Sequence, residues 1–410
     1  DWTFLVPKTL ALILVLMSLL LAGVVAGVAV QTYKGWFDYR FDQYLLWYVL
    51  PQSIGFAQIA VLAIFVQALV PNKFVGWAAM VVYMISTLVL SNLGFDHILY
   101  RYGAGIGVPL SDMNGQGDFR GFANVLDAYW SAAGVILLVI AFALWRRGTE
   151  TRLLPRLRRA PSRLKGPAGM IGAAALATFI GLGVFIFVNT NVWNTYRSQD
   201  AEDDLTANYE KTLLRFETTP QPSIVDVKLD LDLHPHAPRL ATRGSYVIEN
   251  RTGAPLGEMH LRWMEPLKIA RLDVQGARMV REWPEFQYRI YRFATPMAPG
   301  ERRTVSFDTV LEQRGFKNSD NTTRLVDNGT FVSNSEFAPI IGMSRDGLLT
   351  DRTKRRKHRL PAELRPAKLE DLSATGRNYI GADWVNADIT VTTDADQTPL
   401  APGYQRSNQV

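Results

Sequence analysis

The chain has 410 residues, 48% of them hydrophobic, and carries 44 basic and 38 acidic residues with no cysteine. Lack of cysteine excludes disulfides, thiolate metal sites and a cysteine nucleophile, and leaves the compartment open between cytoplasm and periplasm. The net charge of +6 lies entirely before Asn191, since the remainder holds 30 basic and 30 acidic residues, so it reads as a membrane-topology signal and not as a nucleic-acid surface.

The chain begins at Asp1 without an initiator Met or a signal-peptide pattern, and reads as a piece of a longer polypeptide. Five apolar stretches stand out, from about Val6 to Val30, Tyr44 to Val70, Phe74 to Leu93, Phe122 to Leu144 and Ala168 to Val188. Each is near or above the ~20 residues that a helix needs to cross a bilayer. The last is free of charge and comes after the run Trp145–Lys165, in which eight residues are basic and one is acidic. Short loops rich in Lys and Arg stay in the cytoplasm. Alternation then places Asp96–Gly121 outside, Pro71–Lys73 inside, Gln31–Asp42 outside and the start of the chain inside. Aromatic residues at the predicted outer ends (Trp36, Phe37, Tyr39, Tyr44, Trp47 and Tyr48; Tyr129 and Trp130; Trp193 and Tyr196) fit an interfacial belt. Residues 1–191 are therefore expected to form a transmembrane domain of five helices in the inner (cytoplasmic) membrane, with the lipid bilayer as partner and everything after it extracytoplasmic.

Residues 192–222 read as a connector, amphipathic over Thr195–Phe216 because Leu205, Tyr209, Leu213 and Phe216 recur at helical spacing. From residue 223 to 410 the period changes to two. Val225, Val227, Leu229, Leu231 and Leu233 alternate with Asp226, Lys228, Asp230 and Asp232, which predicts a half-buried strand. Similar runs recur at Gly244–Glu249, Glu258–Trp263, Leu267–Val274, Gln287–Phe293, Arg303–Leu311 and Val385–Thr392, with turn residues between them. The expected fold class is a membrane α-helical bundle followed by an extracytoplasmic all-β sandwich. The charged stretch Thr350–Leu372 reads as a loop or short helix over one edge.

Little here carries chemistry by pattern. His234-Pro235-His236 could offer two imidazoles to a metal, but no third ligand stands at a recognisable spacing, so the pair reads as a strand-end turn. The run Lys354–Arg359 reads as a solvated basic surface or a contact with acidic lipid headgroups. In the loop Pro109–Phe119, Asp112, Asn114 and Asp118 could bind an ion, against a plainer reading as turn and capping residues. Asn-x-Thr sequons at Asn250, Asn321 and Asn328 carry little information. HExxH, GxSxG and Walker A sequences are all absent from these 410 residues, so no catalytic residue and no metal ligand is assigned.

Several segments of the β region together resemble the N-terminal β domain of zinc aminopeptidases of the aminopeptidase N and leukotriene hydrolase family. They are Val225–Leu233, Arg243–Asn250, Ala298–Glu301 leading into Thr304–Phe307, Asn328–Glu336, and Ala382–Val391 ending in Leu400–Gly403. The membrane half resembles the later helices of a type-2 ABC exporter permease, in the subgroup fused to such a peptidase, with Ser111–Gly115 as the most distinctive piece. The resemblance implies a parent protein that is a zinc metallopeptidase, its zinc held by an HExxH helix in a catalytic domain beyond Val410, so that this chain holds no cofactor and is inactive alone. It also implies that Gly329-Thr-Phe-Val-Ser-Asn-Ser-Glu336 matches a Gly-x-Phe-x-x-Gln-x-Glu stretch whose Gln reaches the α-amine of a peptide substrate. Asn334 then stands at the Gln position and Glu336 at the Glu position as substrate-binding residues; Asn is one methylene shorter, and a purely structural strand end is an equal alternative.

The expected function is the membrane-embedded part of an ABC permease/aminopeptidase fusion that presents a β domain for peptide processing or export. Its partners would be a peptide substrate, an ABC ATPase subunit and a second permease half or a second copy, with no nucleic acid. The alternative is a non-catalytic, membrane-anchored β-sandwich that binds peptides or a partner protein.

Overall fold

The structure, a computed structural model, describes residues 2–70, 72–108, 115, 119–146, 152–318, 325–327, 329–364, 370–372 and 384–407. Asp112, Asn114 and Asp118, and the sequon residues Asn321 and Asn328, lie outside the described residues. The chain divides into two compact units. One holds the helices up to Ser198 together with Phe316–Asn321, and the other holds most of the chain from Gln199 onward.

The helical unit contains α1 (Trp2–Tyr33), α2 (Phe41–Leu69), α3 (Lys73–Asn92), α4 (Phe119–Leu144), a short α5 (Leu153–Arg163) and α6 (Pro167–Phe187), which runs on as a wider π-helical turn to Trp193. Five of these helices are long and apolar enough to cross a membrane. Runs of Leu, Val, Ala and Phe without charge favour helix there because hydrocarbon offers no partner for an open backbone N–H or C=O. α6 starts where its residues dictate. Gly166 takes φ 116°, and Pro167 comes next at the helix start, where its missing N–H costs nothing. Large apolar side chains such as Phe74, Trp77 and Leu88 are more than 65% exposed, the pattern of helices whose outer face meets lipid.

Inside this unit, Phe122, Leu126, Tyr129, Trp130 and Ile186 form a buried cluster with Phe316, whose ring stacks on Phe122 at 3.6 Å. Gln58, buried in α2, donates to the Asp127 carbonyl at 3.2 Å and to Ser131 Oγ at 3.3 Å. The described part of the basic segment does not form a plain loop. α5 buries Arg156, which donates to the carbonyls of Ala68 (2.7 Å), Leu69 (3.0 Å) and Leu144 (2.8 Å). Arg163 donates to the Ala143 carbonyl at 2.7 Å, and Arg146 to that of Val70. The C-terminal ends of α2 and α4 therefore find arginine donors for carbonyls that have no partner within their own helices.

The second unit begins with α7 (Gln199–Leu213) and continues into two sheets. The larger has the order β4-β7-β2-β1-β9 and the smaller β5-β6-β3-β8. The strands are β1 (Ser223–His234), β2 (Arg239–Glu249), β3 (Leu256–Arg262), β4 (Leu267–Val274), β5 (Ala277–Trp283), β6 (Tyr288–Met297), β7 (Arg302–Glu312), β8 (Ile340–Ile341) and β9 (Asn386–Thr393). Inward residues of both sheets, among them Leu229, Ile248 and Phe307 from one and Met259, Leu261 and Phe293 from the other, share one core. That is a sandwich. Gly244 makes room for it, since a Cβ there would stand 2.3 Å from the Phe307 ring. β5 has no counterpart in the alternation, because as an edge strand it exposes most of its length. β9 pairs with β1 in parallel and is likewise mostly exposed.

The basic run Lys354–Arg359 is only in part the solvated surface that its composition suggests: Arg356, Lys357 and Arg359 are exposed, whereas Arg355 and His358 are buried. It lies largely in α9 (Arg352–Lys357) and is matched to acids of α7: Lys354 to Asp203 at 2.8 Å, Lys357 to Asp200 at 2.8 Å and His358 to Asp204 at 3.1 Å. Arg355 is 0% exposed and grips Glu210, itself 2% exposed, through two 2.8 Å bonds, and it also donates to the Leu349 and Pro361 carbonyls. With all three guanidinium nitrogens engaged, this desolvated pair is tolerated in the interior. Arg355→Met should therefore destabilise the β unit by about 3–5 kcal/mol, because it strands a buried carboxylate, and adding Glu210→Met should recover most of that loss. Denaturant unfolding of the full chain, followed by tryptophan fluorescence, tests this; equal losses in the single and double variants would count against it.

Candidate functional site

α8 (Asn334–Phe337) comes just after the apolar Val332, and Ser333 is its N-cap. Asn334 is the first residue of that turn and is exposed, whereas Glu336 is half-buried. The Glu336 carboxylate reaches back to accept from the Ser333 backbone N–H at 2.7 Å, in a reciprocal capping box. Of the two residues matched to a substrate-binding stretch, one is open to solvent and the other is engaged by its own helix end.

A second polar site is assembled on the smaller sheet and was not legible in the sequence. His260 on β3 is fully buried, with Nδ1 2.7 Å from the Tyr288 hydroxyl of β6 and Nε2 3.1 Å from the Glu258 carboxylate. Burial holds this imidazole below its usual pKa, partly offset by Glu258, so it is neutral at pH 7. Phe216 closes one side with an edge contact at 4.9 Å. Glu258 opens onto a concavity of about 630 Å³ also lined by Arg215, Arg281 and Arg292. Among the described residues these three guanidiniums have no carboxylate partner; Arg215 and Arg281 instead lie over Phe216 and Trp283 at 4.7 and 4.5 Å. Three forked cations beside one carboxylate can hold an anionic group. They approach one another only because adjacent strands and the turn after α7 meet there, which no linear spacing records.

The His234–His236 pair occupies a third site, in the turn between β1 and β2. His234 has Asp232 on its Nε2 side and Asp394 on its Nδ1 side, both at 3.2 Å. His236 has Asp327 at 3.5 Å on Nδ1 and Asp396 at 3.0 Å on Nε2. The carboxylates around each ring stand on opposite nitrogens, so they cannot converge on one metal ion. Among the described residues no group of three or more His, Asp or Glu side chains is placed to hold a metal. The arrangement instead fastens the exit of β9 to the β1–β2 turn.

No family model matches the chain, and no curated protein matches it. Among solved structures, it overlaps an M1 zinc metallopeptidase from Deinococcus radiodurans at 15% identity and a TM-score of 0.20, over 25% of this chain and 24% of that one. A two-domain M1 zinc metallopeptidase bound to L-arginine overlaps at 16% identity and 0.19, over 23% and 21% of the two chains. Leukotriene A4 hydrolase from Saccharomyces cerevisiae gives 12% identity and 0.17, over 22% and 15%. The chain thus spans about a quarter or less of the length of these structures, and overlaps so short and divergent carry no argument about its activity.

The histidine site has a pH dependence of definite sign. Hydrogen bonds to Asp394 and to Asp396 are the largest causes that raise His234 and His236, respectively, above the ordinary histidine value. Arg239, the cross-strand neighbour of His234, is taken by Glu312. A raised folded-state pKa adds stability below the unfolded value of about 6.5, and that stability is lost as pH rises through the folded value. Amide exchange of Ile389–Thr393 should therefore quicken as pH climbs through that range, after correction for intrinsic exchange. His234→Gln with His236→Gln should flatten the dependence; a profile unchanged by that double substitution would exclude the clasp.

Proposed function

We propose that this chain is the membrane-embedded part of a permease–aminopeptidase fusion and presents its β unit on the extracytoplasmic side for peptide processing or export. The observation that carries the orientation is the gathering of Arg146, Arg156 and Arg163 at the C-terminal ends of α2 and α4. Positive charge beside the ends of short-looped spans is retained in the cytoplasm. The aminopeptidase part of the proposal is supported by the sequence segments that resemble that family, carried on β1, β2 and β7 in the same chain order. In this reading the helices associate with a second permease half or a second copy and with an ABC ATPase. Asn334, exposed at the start of α8, meets the amine of a peptide substrate. Zinc would belong to a catalytic domain, since the residues described here do not fit a zinc site, and no reaction step is assigned to them.

A second reading is favoured by one observation: the Glu336 carboxylate already caps its own helix. On that reading the β unit is a non-catalytic module, anchored to the membrane, that binds peptides or a partner protein.

Because the chain has no cysteine, single replacements report topology directly. Gly253→Cys should react with a membrane-impermeant maleimide in intact cells, and Lys165→Cys only after permeabilisation. The reverse pattern overturns the orientation. To separate the two functional readings, the native polypeptide captured from its own membranes should hydrolyse aminoacyl substrates in a chelator-sensitive manner. In that material Asn334→Gln should lower KM at constant kcat, whereas capture without hydrolysis favours the binding module.

A further inference from the structure

We propose that α5 is an interfacial helix that lies on the bilayer surface, with its leucines in the acyl boundary and Arg158 on anionic phospholipid headgroups. This rests on the reading that the long apolar helices cross a membrane, and on nothing said of peptidase or transport function.

The level of α5 is set by Arg156. One guanidinium donates to the last carbonyls of α2 and of α4 together, so α5 lies across the point where two spans end. A span ends where hydrocarbon gives way to headgroups. α5 is therefore held at the interface by its own buried side chain.

The helix then presents a face that water does not suit. Leu153, Leu154 and Leu157 are 38%, 62% and 46% exposed, on an 11-residue helix whose one buried residue is an arginine. Leu157 comes one position after Arg156, about 100° around the axis. The bundle-facing and leucine-bearing directions are thus roughly perpendicular, as they must be for a helix that lies beside spans and on top of lipid. Arg158 is exposed on the flank of the leucine stripe and Arg159 on the opposite side of the helix, and among the described residues neither has an acidic partner. Leucines on one face, with one arginine at its border and others on the remaining faces, is the composition of helices that lie in the membrane interface. Arginine also suits a phosphate by its planar fork of donors, and charge near an anionic leaflet adds to the binding. Acids are scarce here: of the charged residues from Trp145 to Lys165, only Glu150 is negative.

The test uses the full chain with single cysteines at Leu154, Leu157, Ser162 and Ile180, each labelled with bimane. The protein is reconstituted in phosphatidylcholine vesicles with or without phosphatidylglycerol, with part of the lipid brominated high on the acyl chain. Ile180, exposed on α6, reports whether that helix is in the bilayer at all. Labels at Leu154 and Leu157 should be quenched at least about twofold more than the label at Ser162, which lies on the far side of the helix. Phosphatidylglycerol should deepen quenching at Leu157, and Arg158→Gln should abolish that increment while Arg159→Gln, on the opposite side of the helix, leaves most of it. If Ile180 is quenched while Leu154 and Leu157 are not, water or another protein covers the leucines and the proposal fails. Quenching that is indifferent to phosphatidylglycerol and to Arg158→Gln overturns the headgroup contact. An unquenched Ile180 refutes the spanning reading itself.

Discussion

A backbone carbonyl at the end of a long apolar helix has no further turn to bond it, and the helical unit is built around that constraint. Along an apolar helix every interior amide is satisfied by the helix itself, which is why a sequence with a single charge, Lys8, suffices to make α1 and one with none to make α6. At the ends the account no longer closes locally. Arg156 closes it for two helices at once, and Arg146 and Arg163 do the same for neighbouring carbonyls. The positive charge that orients short loops in a membrane thus also has a structural use, because a guanidinium offers five donors to carbonyls that carry the negative end of the helix dipole.

The β unit solves a different problem with the same residue type. α7 turns acids as well as apolar residues inward, with Asp203 and Glu210 buried on the same helix as Ala207 and Leu213. Buried carboxylates are costly unless paired and bonded, and α9 supplies the partners. The pairs differ in worth. Lys357 with Asp200 is exposed and contributes little, whereas Arg355 with Glu210 is sealed and specifies where α9 sits. A basic run that looks like a surface for lipid or nucleic acid has one sealed arginine at its centre that acts as an internal clamp, with Arg356, Lys357 and Arg359 exposed around it.

Legibility tracked the range of the interaction. The stretch Val6–Val30 lies within α1 and Phe74–Leu93 nearly coincides with α3, because hydropathy over a span is a local sum. The alternation from Val225 to Leu233 marked β1 for the same reason, since one face of the strand is buried. β5 is not legible in the sequence, because Ala277–Trp283 is exposed for most of its length and has no alternation to display. α5 was hidden inside a loop defined only by its charge. The resemblance drew attention to Asn334 and Glu336, but it could not say that the Glu336 carboxylate closes a capping box with Ser333. The two histidines were visible as a pair, yet Asp394 and Asp396 stand 160 residues away in sequence and meet them only through the pairing of β9 with β1.

By itself the sequence determined the partition into apolar helices and an alternating β region, since an all-round apolar helix leaves an unbroken apolar run and burial of one strand face leaves an alternation, and both marks are local. It also determined the electrostatic asymmetry around the spans, because charges are counted and not folded. Only the tertiary structure decided which charges are spent internally and which remain available. Arg355 and Arg156 vanish into bonds with groups far along the chain, while Arg158, Arg159, Arg215, Arg281 and Arg292 stay exposed. The physical reason is that a guanidinium's partner is set by distance in space, and a sequence states distance only along the backbone.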